Sequence, residues 1–173
     1  PASGKTTLCA ALVHRGWRLL SDEFGLVTPG TLQFTPLPRP MPLKSESIEV
    51  LRQFAPDAVL GPSIPGTRKG TVAHVKPPAE SVHLQHVAVP PRWLVFPRWE
   101  RAAALELQAV SELEAFVGVT ANAFNYEVQG AAGFETAASL ARASRCFRLK
   151  YSRLEEAVAV LTALADEEGS RAG

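Results

Sequence analysis

Three consecutive residues near the start of the chain, Gly4, Lys5 and Thr6, are of the types a phosphate site needs. A glycine lets backbone N–H groups close around phosphate oxygens, a lysine reaches the terminal phosphates, and a hydroxyl is a ligand for Mg²⁺. Together they fill the last three places of the pattern G-x-x-x-x-G-K-[ST], the phosphate-binding P-loop, with Ser3 and Thr7 flanking them. The tripeptide alone also fits an ordinary glycine turn ahead of a helix. The next residues favour the P-loop: Leu8, Ala11 and Leu12 recur at helical spacing, so the loop opens a helix whose positive dipole end faces the phosphates. Arg15-Gly16 then supplies a last-turn cation and a terminating glycine. The first glycine of the pattern falls two residues before Pro1, so the chain reads as N-terminally truncated, with a first strand and that glycine upstream.

Trp17 to Leu20 reads as a short strand, and Ser21 leads from it into two carboxylates, Asp22 and Glu23. An acid at the end of an apolar strand beside a P-loop can hold Mg²⁺ or take a proton from an attacking hydroxyl. A strand running into a polar turn is the ordinary alternative. Position directly after the P-loop helix favours chemistry, but the pattern does not divide the two roles between Asp22 and Glu23.

Ser3-Gly4-Lys5-Thr6, the helix after it, and His14-Arg15-Gly16-Trp17-Arg18-Leu19-Leu20-Ser21-Asp22-Glu23 resemble the bacterial HPr kinase/phosphorylase family. Three later segments are similar to a divergent branch, the HPr-kinase-related kinase A group. They are Leu37-Pro38-Arg39-Pro40 with Leu43-Lys44, Gly66-Thr67-Arg68-Lys69-Gly70-Thr71-Val72-Ala73-His74, and Phe124-Asn125-Tyr126-Glu127. The resemblance implies an α/β P-loop kinase domain of the HPr kinase / phosphoenolpyruvate carboxykinase type, with a mixed sheet flanked by helices. It implies ATP and Mg²⁺ as cofactors and phosphoryl transfer to a hydroxyl, by family a serine of a protein or peptide. Carried over, Lys5 binds phosphate, Thr6 is an Mg²⁺ ligand, Asp22 is the general base, and Glu23 stands close behind it or serves the metal.

The elements that must position these residues are readable in outline. Phe24 to Leu37 alternates around Thr28-Pro29-Gly30-Thr31, a hairpin signal, and Pro36 to Pro42 is a stiff, extended connector. Ser45 and Ser47 precede a short helix that Pro56 stops, with Lys44 at its entrance either reaching a phosphate or simply solvated. Gly61 to Gly70 carries Arg68-Lys69 between glycines. Cations there can neutralise charge on a transferring phosphoryl group; composition alone leans slightly to solvated charges on a mobile turn, and the resemblance tips the reading to Arg68. His74 alternates against apolar neighbours and is more readily structural than catalytic.

Arg92 to Trp99 is expected to be a core strand and Leu105 to Val110 another, and Ser111-Glu112-Leu113-Glu114 is a capping box opening a helix. Asn122 and Asn125 fit caps or turns where that helix ends. Gly133 begins an Ala-rich helix, Arg145 to Tyr151 is a strand, and Ser152-Arg153-Leu154-Glu155 is a second capping box. Residues 1–165 are expected to form one domain and 166–173 a polar tail.

Composition limits the rest. In 173 residues, eighteen Lys+Arg stand against seventeen Asp+Glu, so no basic excess marks a nucleic-acid binder. No apolar run approaches the roughly 18 residues a membrane span requires. Cys9 and Cys146 have no partners at metal-ligand spacing, which leaves a reducing cytoplasm as the expected compartment. The expected partner is a protein or peptide bearing a hydroxyl, and a homo-oligomer is compatible with the sequence. Besides a kinase, the residues allow a non-catalytic nucleotide-binding regulatory module or plain ATP hydrolysis.

Overall fold

The structure is a computed structural model that describes residues 3–169. It is a mixed α/β arrangement of sheets flanked by helices. The first helix, α1 (Lys5–Val13), opens from Gly4, which takes the left-handed conformation at φ 79°. It closes at Gly16, also left-handed at φ 93°. Leu8, Ala10, Ala11 and Val13 are buried, and Cys9 and Leu12 pack against the same cluster, so α1 is enclosed on nearly every side.

The strands divide into three sheets rather than the one expected. A hairpin joins β1 (Leu26–Val27) to β2 (Phe34–Thr35) around the Thr28-Pro29-Gly30-Thr31 turn, closed by Thr28 N–H to the Gln33 carbonyl at 2.9 Å. An antiparallel sheet holds β5 (Gly70–Val75) between β3 (Met41–Lys44) and β4 (Ile64–Thr67). The third sheet is mixed, with β8 (Arg145–Tyr151) at its centre, β6 (Trp93–Trp99) parallel to it and β7 (Glu106–Ala109) antiparallel. The segment Trp17–Leu20 is not a strand: it has no ladder partner among the described residues. It is held instead by Leu19 N–H to the Ser81 hydroxyl and by Leu37 N–H to the Leu20 carbonyl.

β6 is half-buried rather than central, and among the described residues it pairs with β8 on one side only. Pro97 inside it suits an edge, where a missing N–H breaks no ladder.

Helices complete the arrangement. α2 (Glu46–Phe54) buries Ile48, Leu51 and Phe54 against α1 and β3. The short α3 (Ala79–His83) contributes the buried Ser81. α4 (Glu112–Thr120) starts at the expected capping box: the Ser111 hydroxyl accepts from Glu114 N–H, and the Glu114 carboxylate accepts from Ser111 N–H. α5 (Tyr126–Ala143) begins earlier than Gly133, with a kink at Gly130.

α6 (Leu154–Gly169) starts one residue later than the second capping box requires. The Ser152 hydroxyl donates to the Ala103 carbonyl instead, and Ala157 N–H bonds to the Arg153 carbonyl. Residues 166–169 of the expected polar tail belong to this helix, and 170–173 lie outside the described residues. One apolar cluster joins α1, Leu19, β3, α2, β5, the end of β8 and α6, so the loop before α1 is anchored on the main core.

Candidate phosphate-binding loop and acidic cleft

The loop from Ser3 to Lys5 rests on the carboxyl ends of the parallel pair β6–β8. Trp99 N–H donates to the Ser3 carbonyl and the Tyr151 hydroxyl to the Gly4 carbonyl, each at 3.1 Å. This end of parallel strands is where α/β folds place ligands. Gly4 is required there twice over. Its φ is positive, and a Cβ would overlap the Tyr151 hydroxyl and come within 2.9 Å of the Trp99 Cβ.

Gly4 offers no side-chain cap, so the first-turn N–H groups of α1 are left for an external acceptor. Lys5 is exposed, and its ammonium donates to the Ser3 hydroxyl at 3.0 Å, which folds it back over the loop. Thr6 and Thr7 are half-buried in the first turn.

Asp22 joins this turn. Burial pushes its carboxyl above the ordinary aspartate value. A hydrogen bond from the Thr6 hydroxyl opposes the shift, the Glu23 charge adds to it, and the Lys44 ammonium opposes it. The net rise is in the direction that improves a general base at neutral pH. Oδ1 of Asp22 is buried and accepts no hydrogen bond among the described residues. The charge of Asp22 also reaches Cys9 on α1: burial first, and then this carboxylate, push that thiol up to about 12, so it stays protonated and unreactive.

Glu23 is exposed at the mouth of a small cleft that Asp22, Phe24, Arg39, Pro40 and Pro42 also line. The cleft holds about 20 Å³, room for about one water or small ion. A larger groove of about 350 Å³ lies between α5 and the start of β8, by Arg142 and Phe147. It sits at the far end of a strand roughly 20 Å long, so the phosphate-type residues are not in the larger groove.

The structure therefore brings together Thr6, Asp22, Glu23 and Lys44, with Ser3, Gly4 and Lys5 on the same loop. Arg68 it leaves exposed, with no ion pair to a carboxylate among the described residues. Arg68 and Lys69 form the exposed tip of the β4–β5 hairpin, and Arg68 makes no hydrogen bond or ion pair among the described residues. Only the base of that hairpin approaches: Gly70 lies where a Cβ would be 2.8 Å from the Ser45 hydroxyl, next to Lys44. His74 is exposed on β5 opposite Pro42. Asn122 donates from its amide to the Gly118 carbonyl at 2.9 Å, an end-of-helix role, and Asn125 precedes α5.

Sequence reasoning missed Arg39 as a cleft residue. A cation fixed between two prolines, with no acid near it in the sequence, was the available signal. It also missed Tyr151 and Trp99 as supports of the loop, since nothing in a strand-ending aromatic announces a partner nearly 150 residues away. No group of three or more His, Cys, Asp or Glu side chains is disposed to hold a metal among the described residues. The donor set here is two carboxylates and a hydroxyl, which suits Mg²⁺ completed by phosphate and water rather than a closed protein cage.

Among the described residues no helix is long and apolar enough to cross a membrane. Comparison of the chain with family models, with curated proteins and with solved structures finds no match in any of the three.

Proposed function

We propose that the protein transfers the terminal phosphoryl group of ATP to a hydroxyl, by resemblance to the HPr kinase-like family a serine of a protein or peptide. The observation that carries this reading is the meeting of Thr6 and Asp22: a first-turn hydroxyl of a glycine-led helix and a buried carboxylate with an unpartnered oxygen.

In this reading the N–H groups of Lys5, Thr6 and Thr7 and the Lys5 ammonium hold the phosphates, assisted by the α1 dipole. Thr6 and Glu23, with the buried Oδ1 of Asp22, are the residues that would hold Mg²⁺, and that orphaned oxygen and the all-oxygen donor set fit the ion. The ion would neutralise charge on the phosphates. The Asp22 carboxylate takes the proton from the acceptor hydroxyl, a task its raised pKa suits. Arg39 lines the cleft and the Lys44 charge acts on Asp22, and both favour an anionic occupant. The cytoplasm is the compartment in which ATP and two free cysteines sit together most simply.

The alternative of nucleotide binding without transfer is favoured by one observation, the place of Arg68 in solvent rather than at the carboxylates. Incubating the full-length protein with Mg²⁺, γ-labelled ATP and host extract separates the readings. Label on a discrete acceptor, lost in Asp22→Asn, supports the kinase. Tight ATP binding with neither transferred label nor released phosphate supports the binding module, and acceptor-independent phosphate release supports plain hydrolysis.

A further inference from the structure

The surface beside the acidic cleft is apolar. Phe24, the residue after Glu23, meets Phe124 edge-on with ring centroids 6.3 Å apart. Phe124 is 93% exposed and Val128, at the start of α5, 86% exposed. On α4, which packs against α5, Leu113 and Val117 stand one turn apart and are also exposed. Side chains this open add nothing to the core, and the touching pair Phe24 and Phe124 makes the surface beside the cleft an apolar spot of the kind that marks an interaction site.

Charge says what covers it. From Ala102 to Ala141 the chain has five glutamates and no lysine or arginine. Glu106, Glu112 and Glu114 are paired with Lys150, Arg142 and Arg148. Glu127, beside Val128, and Glu135 are exposed and make no ion pair among the described residues. Glu127, the neighbour of Val128, therefore leaves an unneutralised acidic charge beside the patch. Two copies packed face to face would oppose like charges, and an anionic lipid surface would be repelled.

We infer that the Phe24–Phe124–Val128 face docks a cationic amphipathic segment of a partner protein, apolar side chains seated on the aromatics and a lysine or arginine against Glu127. Since Phe24 also lines the cleft, a segment seated there delivers its neighbouring hydroxyls toward Asp22. In that role, as the acceptor's docking point, the inference rests on the phosphoryl-transfer reading; as a binding surface it stands without it.

The test is fluorescence anisotropy of a labelled helical Leu–Lys peptide, with its Leu–Glu counterpart as control, on the full-length protein. Binding of the Leu–Lys peptide alone is expected, weakened about tenfold or more by Phe124→Ser with Val128→Ser. Glu127→Gln weakens it several-fold, and that difference disappears at about 1 M salt, where the screening length is about 3 Å. An unchanged melting temperature of the serine variant checks that the fold survives. Asp22→Asn abolishes label transfer and leaves the anisotropy unchanged, so failure of the transfer reading and failure of this one are separable. Equal binding of both peptides, or binding indifferent to the serine variant, overturns the inference. So does self-association, or partition onto phosphatidylserine vesicles, that the serine variant removes.

Discussion

The hydroxyl of Tyr151, at the end of β8, donates a 3.1 Å hydrogen bond to the carbonyl of Gly4 and so fastens the loop before α1 to a strand from the other end of the chain. Tyr151 is fully buried, and burial pushes its phenol up to about 12, so it remains a donor across the ordinary pH range. Tyr151→Phe keeps the ring packing and removes only this bond. A loss of about 1 kcal/mol is expected, which for a chain of this size lowers the melting temperature by about 2–4 °C. Thermal unfolding at neutral pH checks it, and an unchanged midpoint would mean the loop is held without the hydroxyl.

Gly4→Ala strikes the same joint from the other side. The left-handed conformation at φ 79° costs a non-glycine residue about 1–2 kcal/mol, and the new methyl overlaps the Tyr151 hydroxyl. Destabilisation above about 2 kcal/mol is expected by urea titration. Because the hydroxyl is the nearest obstacle, Tyr151→Phe combined with Gly4→Ala should lose less than the sum of the two. Strict additivity would show that the glycine makes room for something else, with the Trp99 Cβ at 2.9 Å the next atom in line.

These two residues mark the limit of what the sequence discloses. Gly4 is readable from its motif, as are the Ser111 capping box and the β8 strand, because each is written in adjacent residues. Trp17–Leu20 misleads: its apolar residues face the core as a strand's would, yet a strand exists only where a second segment lies alongside. Ser152 misleads in the same way, since its hydroxyl is taken by Ala103, which no local pattern announces. At the site, Thr6 and Asp22 are each readable, but their meeting depends on how α1 packs, and Arg39 enters the cleft only through the path of the proline connector. Arg68 shows the converse: its type and glycine setting fit the chemistry, and its hairpin carries it into solvent.

Asp22→Asn should raise stability at neutral pH while abolishing transfer. The native carboxyl titrates above its unfolded value, chiefly through burial, so the folded state binds the proton more tightly than the unfolded one. Stability contributed by that proton is complete below the ordinary aspartate value and is lost as pH rises through the native one. The amide carries no such dependence. The variant is therefore expected to exceed the parent in urea titrations at neutral pH, with the gap closing as the pH falls below the ordinary aspartate value. A variant weaker than its parent at neutral pH would show that Thr6 and Lys44 outweigh burial and that the carboxylate is held for stability rather than for chemistry.

Lys5→Ala tests the loop itself. Lys5 is exposed, and its one side-chain bond among the described residues is to the nearby Ser3 hydroxyl, so removing it should change unfolding stability by less than about 0.5 kcal/mol. A hydrogen-bonded ammonium on a phosphate is worth more: losing about 1.5–3 kcal/mol weakens ATP binding by roughly tenfold to a hundredfold. Titration of a fluorescent ATP analogue into parent and variant gives that ratio directly, and a matched urea curve excludes unfolding as its cause. Undiminished affinity would remove the phosphate-binding role of the Gly4-Lys5-Thr6 turn, and with it the kinase, the hydrolase and the nucleotide-binding module alike, because all three need those phosphates held there. Lost affinity in a stable variant would leave Asp22 as the residue that decides among them.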